Sequence, residues 1–279
     1  MGRAPKKNGN LTAAELRQDR VSAQLDQPGN PVRLSYLILA EMRSGSTLLA
    51  DMLYRRGAGM PFEYFNDNYR HDLTARLFSS GAVPSTEEYL ERVRDLRTTA
   101  NGYFGVKCLL PQLRQFGEDF PPQRFIERFD RIVFLTQRNK LAQAISAMRA
   151  QQSGQWTSTL APDNDRKVMF DPVFISARLR DFLARERSVR VLIERIDRPK
   201  ILLEYEDIET SLKAVWRELQ AFLDLAPVEL DGGTIGLNRQ ADAQSAQSAR
   251  RYLRLIQGRV LKSGASQRRP EHKPKFKAS

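Results

Sequence analysis

The chain has 279 residues, 41% hydrophobic and 28% charged, which is enough to bury one substantial core and ordinary for a globular protein in water. Its single cysteine, Cys108, excludes an intrachain disulfide and a multi-cysteine metal site, and two histidines are too few for a His-based zinc centre. The net charge of +12 invites a nucleic-acid reading, but residues 259–279 carry seven Lys or Arg against Glu271 alone, and the first twenty carry five basic residues against two acidic, so most of the excess sits at the two ends.

Residues 1–30 mix Gly, Asn and Pro with one short helical pattern near Leu11 to Leu25, and are expected to form a partly disordered extension. They contain no signal-like apolar region, and no run in the chain is long enough to span a membrane, so a reducing cytoplasm is the expected compartment. The folded body is expected over residues 31–258. It opens with Leu34-Ser-Tyr-Leu-Ile-Leu-Ala40, apolar without alternation, as a strand buried on both faces of a parallel sheet requires. Arg43-Ser-Gly-Ser-Thr47 follows, and then Leu48, Leu49, Met52 and Leu53 recur at helical spacing up to Gly57, a residue suited to a helix C-terminus. Strand, tight loop and helix in that order aim the unpaired N–H groups of the first helical turn at the loop, where they favour an anion. Gly45 permits close backbone approach, Arg43 adds a fixed charge, and Ser44, Ser46 and Thr47 add hydroxyls. The alternative is a plain serine-rich connection. A Walker loop is disfavoured, because no Gly stands five residues before Gly45 and Ser46 occupies the place of its Lys.

Pro61 makes Gly59-Met-Pro-Phe-Glu-Tyr-Phe65 an extended or turn segment, with Glu63 set among aromatics. Helices are expected over His71 to Phe78 and Ser85 to Arg97, the second with a capping box between Ser85 and Glu88. Tyr103-Phe-Gly-Val-Lys107 reads as a second buried strand, and Lys107 near its carboxyl end is either an anion contact or a structural Lys at the sheet edge. Ile132 to Leu135 form a third strand, followed by Arg138, the N-cap Asn139, and a helix with Leu141, Ile145 and Met148 inward and Ser146 two turns in. A loop over Gly154 to Pro172 holds Trp156, Asp163 and Asp165, with Trp156 lining a sugar site or belonging to the core. A long helix from Ile175 stops before Pro199, then come a strand Lys200 to Tyr205 and a helix marked by Leu212, Val215, Trp216, Leu219 and Phe222. Residues 259–279 read as a basic, disordered tail, serving solubility or association with nucleic acid or an anionic membrane surface. There is no internal repeat. Strands alternating with helices imply an α/β fold, a central parallel sheet flanked by helices.

Four separated segments in the right order resemble the bacterial trehalose sulfotransferase type of carbohydrate sulfotransferase: the R-S-G-S-T-L-L loop at Arg43, the G-x-P-x-E-[FY]-F segment at Glu63, the aromatic-Gly-x-Lys strand at Lys107, and Asn238-Arg-Gln-Ala-Asp242. The resemblance implies a P-loop-like sulfotransferase architecture and transfer of a sulfuryl group from 3′-phosphoadenosine-5′-phosphosulfate (PAPS) to a carbohydrate or glycolipid hydroxyl. It implies Glu63 as catalytic base and Arg43 with Ser44, Gly45, Ser46 and Thr47 around the 5′-phosphosulfate. Arg138 and Ser146, eight apart, would take the 3′-phosphate, Lys107 would be an anion contact, and Arg239 would close over the nucleotide. No metal and no specific nucleic acid are expected, and peripheral contact with an anionic membrane or a homodimer is compatible with this reading. Glu41 and Met42 depart from the pattern, since an acid beside the loop would repel the nucleotide unless turned away. Competing readings are an ATP-type transferase, a nucleic-acid binder working through the tails, and a non-catalytic nucleotide-binding relative.

Overall fold

The computed structural model describes residues 19–78, 83–118, 120–156, 168–227 and 243–266. The strands are β1 (Leu34–Ala40), β2 (Tyr103–Leu109), β3 (Arg131–Thr136) and β4 (Lys200–Glu204). They form one wholly parallel sheet in the order β2-β1-β3-β4. All seven residues of β1 are buried, which is why its sequence shows no polar alternation.

Helix α1 (Ser46–Arg55) follows β1, and α2 (Asp67–Leu77) and α3 (Thr86–Arg97) lead to β2. The short α4 (Pro122–Ile126) precedes β3, while α5 (Lys140–Ser153) and α6 (Pro172–Glu194) separate β3 from β4. Helix α7 (Tyr205–Phe222) follows β4, and α8 (Ala243–Ser266) belongs to a separate compact unit that begins at Ala241. Alternate strand residues feed two cores. Leu37, Leu39, Phe104, Val106, Ile132 and Phe134 pack with Phe65, Phe125, Phe129, Val93 and Val189, so α3 and α6 lie on that face. Tyr36, Ile38, Ala40, Val133 and Leu135 pack with Leu49, Leu53, Trp216 and Leu219, so α1 and α7 cover the other.

The local signals read from the sequence are realised in large part. Ser85 and Glu88 make the reciprocal capping box, and Asn139 caps α5 by accepting from the N–H of Ala142. Gly57 takes a left-handed φ of 71° just past α1, and Ile145 and Met148 are buried, although Leu141 is only half-buried. Three boundaries differ. Tyr205 opens α7 and does not end β4. Helix α8 runs to Ser266, past the expected start of the tail at residue 259. Upstream of Pro31, Asp26 accepts from Arg76 (2.5 Å) and lies 3.2 Å from Arg97, and the Gln27 N–H donates to Leu96 O. The Arg97 side chain is 1% exposed, and Asp26 is the acid that balances its charge. Replacing Asp26 with Ala should therefore cost about 2–3 kcal/mol of stability in a urea titration, the penalty of stranding a buried guanidinium. An unchanged midpoint would mean that the upstream segment adds nothing to the body.

No helix among the described residues is long and apolar enough to cross a membrane.

Candidate active site

The chain runs from β1 to β2 on one side and then crosses to β3 on the other, so the strand order reverses between β1 and β3. Ligands of open α/β sheets gather beyond the carboxyl ends of strands at such a switch point. The loop after β1 carries Arg43 to Thr47, and the loop after β3 carries Arg138, so both anion-binding candidates issue from this one place.

The first loop turns sharply. Arg43 has φ 62° and Gly45 φ 83°, both left-handed, and a non-glycine residue held there stores strain of a kind that clusters at functional sites. Gly45 is the N-cap of α1 and offers no side-chain cap, and there is no acid in the first turn. A Cβ on Gly45 would stand 2.3 Å from Cδ2 of Tyr205, so the Tyr205 ring lies directly against the loop backbone. The side chains divide their tasks. Ser44 is fully buried and its hydroxyl donates to Glu41 O (2.7 Å), so its side chain braces the loop. Ser46 is buried at the first helical position. Thr47 Oγ1 accepts from Lys107 Nζ (3.0 Å), leaving its own hydrogen to donate. Arg43 Nε donates to Ser146 Oγ (2.9 Å), and its Nη1 donates to Trp156 O. Burial lowers the Arg43 pKa, with Tyr205 opposing, but a guanidinium keeps its charge.

Glu63 comes from the extended segment beside β2, where Phe62 bridges to Val106 and Phe62 O accepts from the Lys107 N–H (3.0 Å). Phe62, Tyr64 and Phe65 turn into the core. The carboxylate therefore does not sit among apolar walls: Lys107 Nζ is 2.8 Å from Oε1, Gln112 Nε2 donates to Oε2 (3.2 Å), and Asn66 Nδ2 reaches the same oxygen at 3.5 Å. Lys107 is 5% exposed and joins Glu63 to Thr47, which places it inside the constellation. Gln112 and Asn66 carry no periodicity or motif that could have flagged them.

Arg138 and Ser146, eight apart in sequence, bond to different partners. Ser146 bonds to Arg43, while the exposed Arg138 pairs through Nε with Glu204 and through Nη2 with Asp207. Glu206 accepts from the backbone N–H groups of Arg138 (3.0 Å) and Asn139 (2.9 Å). Burial acts to raise its pKa, but these two N–H groups hold the Glu206 carboxyl below its ordinary value. Trp156 is 40% exposed, not core. Arg239, Asp163 and Asp165 lie outside the described residues. No group of three or more His, Cys, Asp or Glu among the described residues is placed to hold a metal ion.

Among solved structures, the chain is similar to a sulfotransferase domain from the curacin biosynthetic pathway (13% identity, TM-score 0.45, covering 79% of this chain and 83% of that one). It is also similar to a sulfotransferase from Alicyclobacillus acidocaldarius (14%, 0.45, 81% and 96%) and to mouse sulfotransferase SULT7A1 complexed with PAP (12%, 0.40, 86% and 69%). A search of curated proteins finds no match. The model of one family, described as Stf0 sulphotransferase, matches residues 35–254 and so takes in all four strands, both loops and Glu63. The chain belongs to the Stf0 sulphotransferase family, enzymes that transfer a sulfuryl group.

Proposed function

We propose that the sulfuryl donor is PAPS, that the acceptor is a hydroxyl of a carbohydrate or glycolipid, and that Glu63 is the general base. The observation that carries this reading is the line Glu63–Lys107–Thr47, with contacts of 2.8 and 3.0 Å, which ties a carboxylate to the first turn of the anion-binding helix. A base and a cradle for the leaving group are thereby held on one frame. The acceptor class rests on the likeness of the Arg43 and Glu63 segments to the trehalose type.

In this scheme the acceptor oxygen attacks sulfur in line and passes its proton to a Glu63 oxygen. The bond between sulfur and the bridging oxygen breaks, and its electron pair stays on the 5′-phosphate. Arg43 and the N–H groups of the first turn of α1 meet the charge that grows there, which stabilises the transition state more than the ground state. Lys107 keeps Glu63 oriented while Thr47 turns its hydrogen toward the phosphate. Ser146 accepts from Arg43 and has its own hydrogen left for a second phosphate.

Arg138 uses Nε and Nη2 for Glu204 and Asp207, which leaves Nη1 to a 3′-phosphate. Because the group is exposed, its contribution is screened, and Arg138→Ala should weaken 3′,5′-adenosine bisphosphate (PAP) by about tenfold with little effect on AMP. Calorimetric titration of both nucleotides tests this. Equal wild-type affinity for AMP and PAP would remove the 3′-phosphate site and, with it, the case for PAPS.

A further inference from the structure

We infer that Arg185 is the counter-charge that lets the loop after β1 bind an anion despite Glu41. This rests on the reading of that loop as the nucleotide's phosphate site. Glu41 immediately follows β1, two residues before Arg43, and is 2% exposed. A carboxylate so close to a bound phosphosulfate would repel it at short range through poorly screened surroundings. Its two oxygens are both committed: Oε1 accepts from the Met42 N–H (3.0 Å), and Oε2 accepts from Arg185 Nε (2.6 Å). Arg185 reaches in from α6, 11% exposed, with its guanidinium 5.6 Å from the Phe182 ring centroid.

The other charged groups facing this pair do not replace Arg185. On α6, Asp181 Oδ2 lies 3.9 Å from Arg185 Nη1 and adds negative charge. On α5, Lys140 also acts on Glu41, but its ammonium is held by Glu186 of α6. On the loop, Arg43 is engaged with Ser146 and Trp156. Gln143 of α5 donates to Met42 O (2.8 Å), so the loop backbone is fixed from a second helix without adding charge. Burial already raises the Glu41 pKa even with Arg185 bound to it. Arg185 is thus a charge-compensating, positioning residue for donor binding, acting through Glu41.

The test is calorimetric titration of PAP into the full chain for wild type, Glu41→Gln, Arg185→Met and the double variant. Glu41→Gln keeps an oxygen for the Met42 N–H and leaves Arg185 unneutralised, so it should bind PAP several-fold more tightly than wild type. Arg185→Met should bind about tenfold more weakly, on the order expected for an uncompensated like charge. The double variant should return to within about threefold of wild type. Arg185→Met should also take up a proton on binding, seen as a heat that varies with the ionisation enthalpy of the buffer, and the double variant should not. Brace-only behaviour predicts the opposite order: Glu41→Gln weaker than wild type, and the double no better than Arg185→Met. Either result overturns the inference. If Arg185→Met fails to fold, the sign of the Glu41→Gln effect still decides. Wild type that binds no PAP at all would bring down the nucleotide reading and this inference together, whereas wild type that binds with the wrong order among variants overturns the inference alone.

Discussion

Replacing Glu63 with Gln should lower turnover by about 10²–10⁴ while leaving PAP affinity within a few-fold of wild type. The side chain keeps its size and one acceptor oxygen, and loses the ability to take a proton. Gln112 and Asn66 can still meet it, and Lys107 keeps its bond to Thr47, so the cradle stays assembled. A rate assay with saturating PAPS, run beside a PAP titration, separates the two quantities. Normal turnover would place the base elsewhere among the carboxylates. Glu204 and Glu206 are poorly placed to serve, because one pairs with the Arg138 side chain and the other accepts two backbone N–H groups. Loss of folding in place of rate would mean that Glu63 is needed chiefly to neutralise Lys107.

Gly45→Val should be the most damaging change in the loop. It imposes a β-branched side chain at φ 83°, and its Cβ meets Tyr205 at 2.3 Å, so either the ring or the loop must move. Backbone strain and overpacking each cost about 1–3 kcal/mol, which puts the total near 3–5 kcal/mol of stability. Displacing the first turn of α1 should also weaken PAP by roughly a hundredfold or more, since several N–H contacts move together. Chemical denaturation and calorimetry read the two effects separately. A variant that unfolds at the wild-type midpoint and binds PAP normally would show that the close approach of Tyr205 to Gly45 has no role.

Much of this architecture was legible because its signals are local. The unbroken apolar run of β1, the Gly45 loop and the spacing of Leu49, Met52 and Leu53 fix strand, turn and helix within about twenty residues of chain. The same holds for the Ser85–Glu88 cap and for Asn139 after β3. What escaped is whatever depends on contacts far apart in sequence. Arg185 meets Glu41 across 144 positions, and nothing near either residue announces the other. The spacing of Arg138 and Ser146 was visible, but spacing inside one loop-helix unit cannot say that Ser146 will be claimed by Arg43, 103 residues upstream. The loop sequence does not say where the Ser44 hydroxyl points, and only the folded loop shows it donating to Glu41 O. Tyr205 reads as the end of an apolar strand, yet Glu204 already acts as the N-cap of α7.

The position of β1 between β2 and β3 separates the two halves of the proposed reaction. The loops assigned to the donor hang from β1 and β3, inner strands whose spacing of about 4.8 Å is set by backbone pairing and cannot drift. On the reading proposed above, that spacing sets the distance between the sites for the two phosphates of the donor. Glu63 rides instead along β2, at the edge of the described sheet, on a segment whose backbone meets β2 at Phe62. Among the described residues, only Lys107 joins Glu63 to Thr47 of the first loop, so on the proposed reading the other residues around Glu63 can change with the acceptor while the two loops keep one donor.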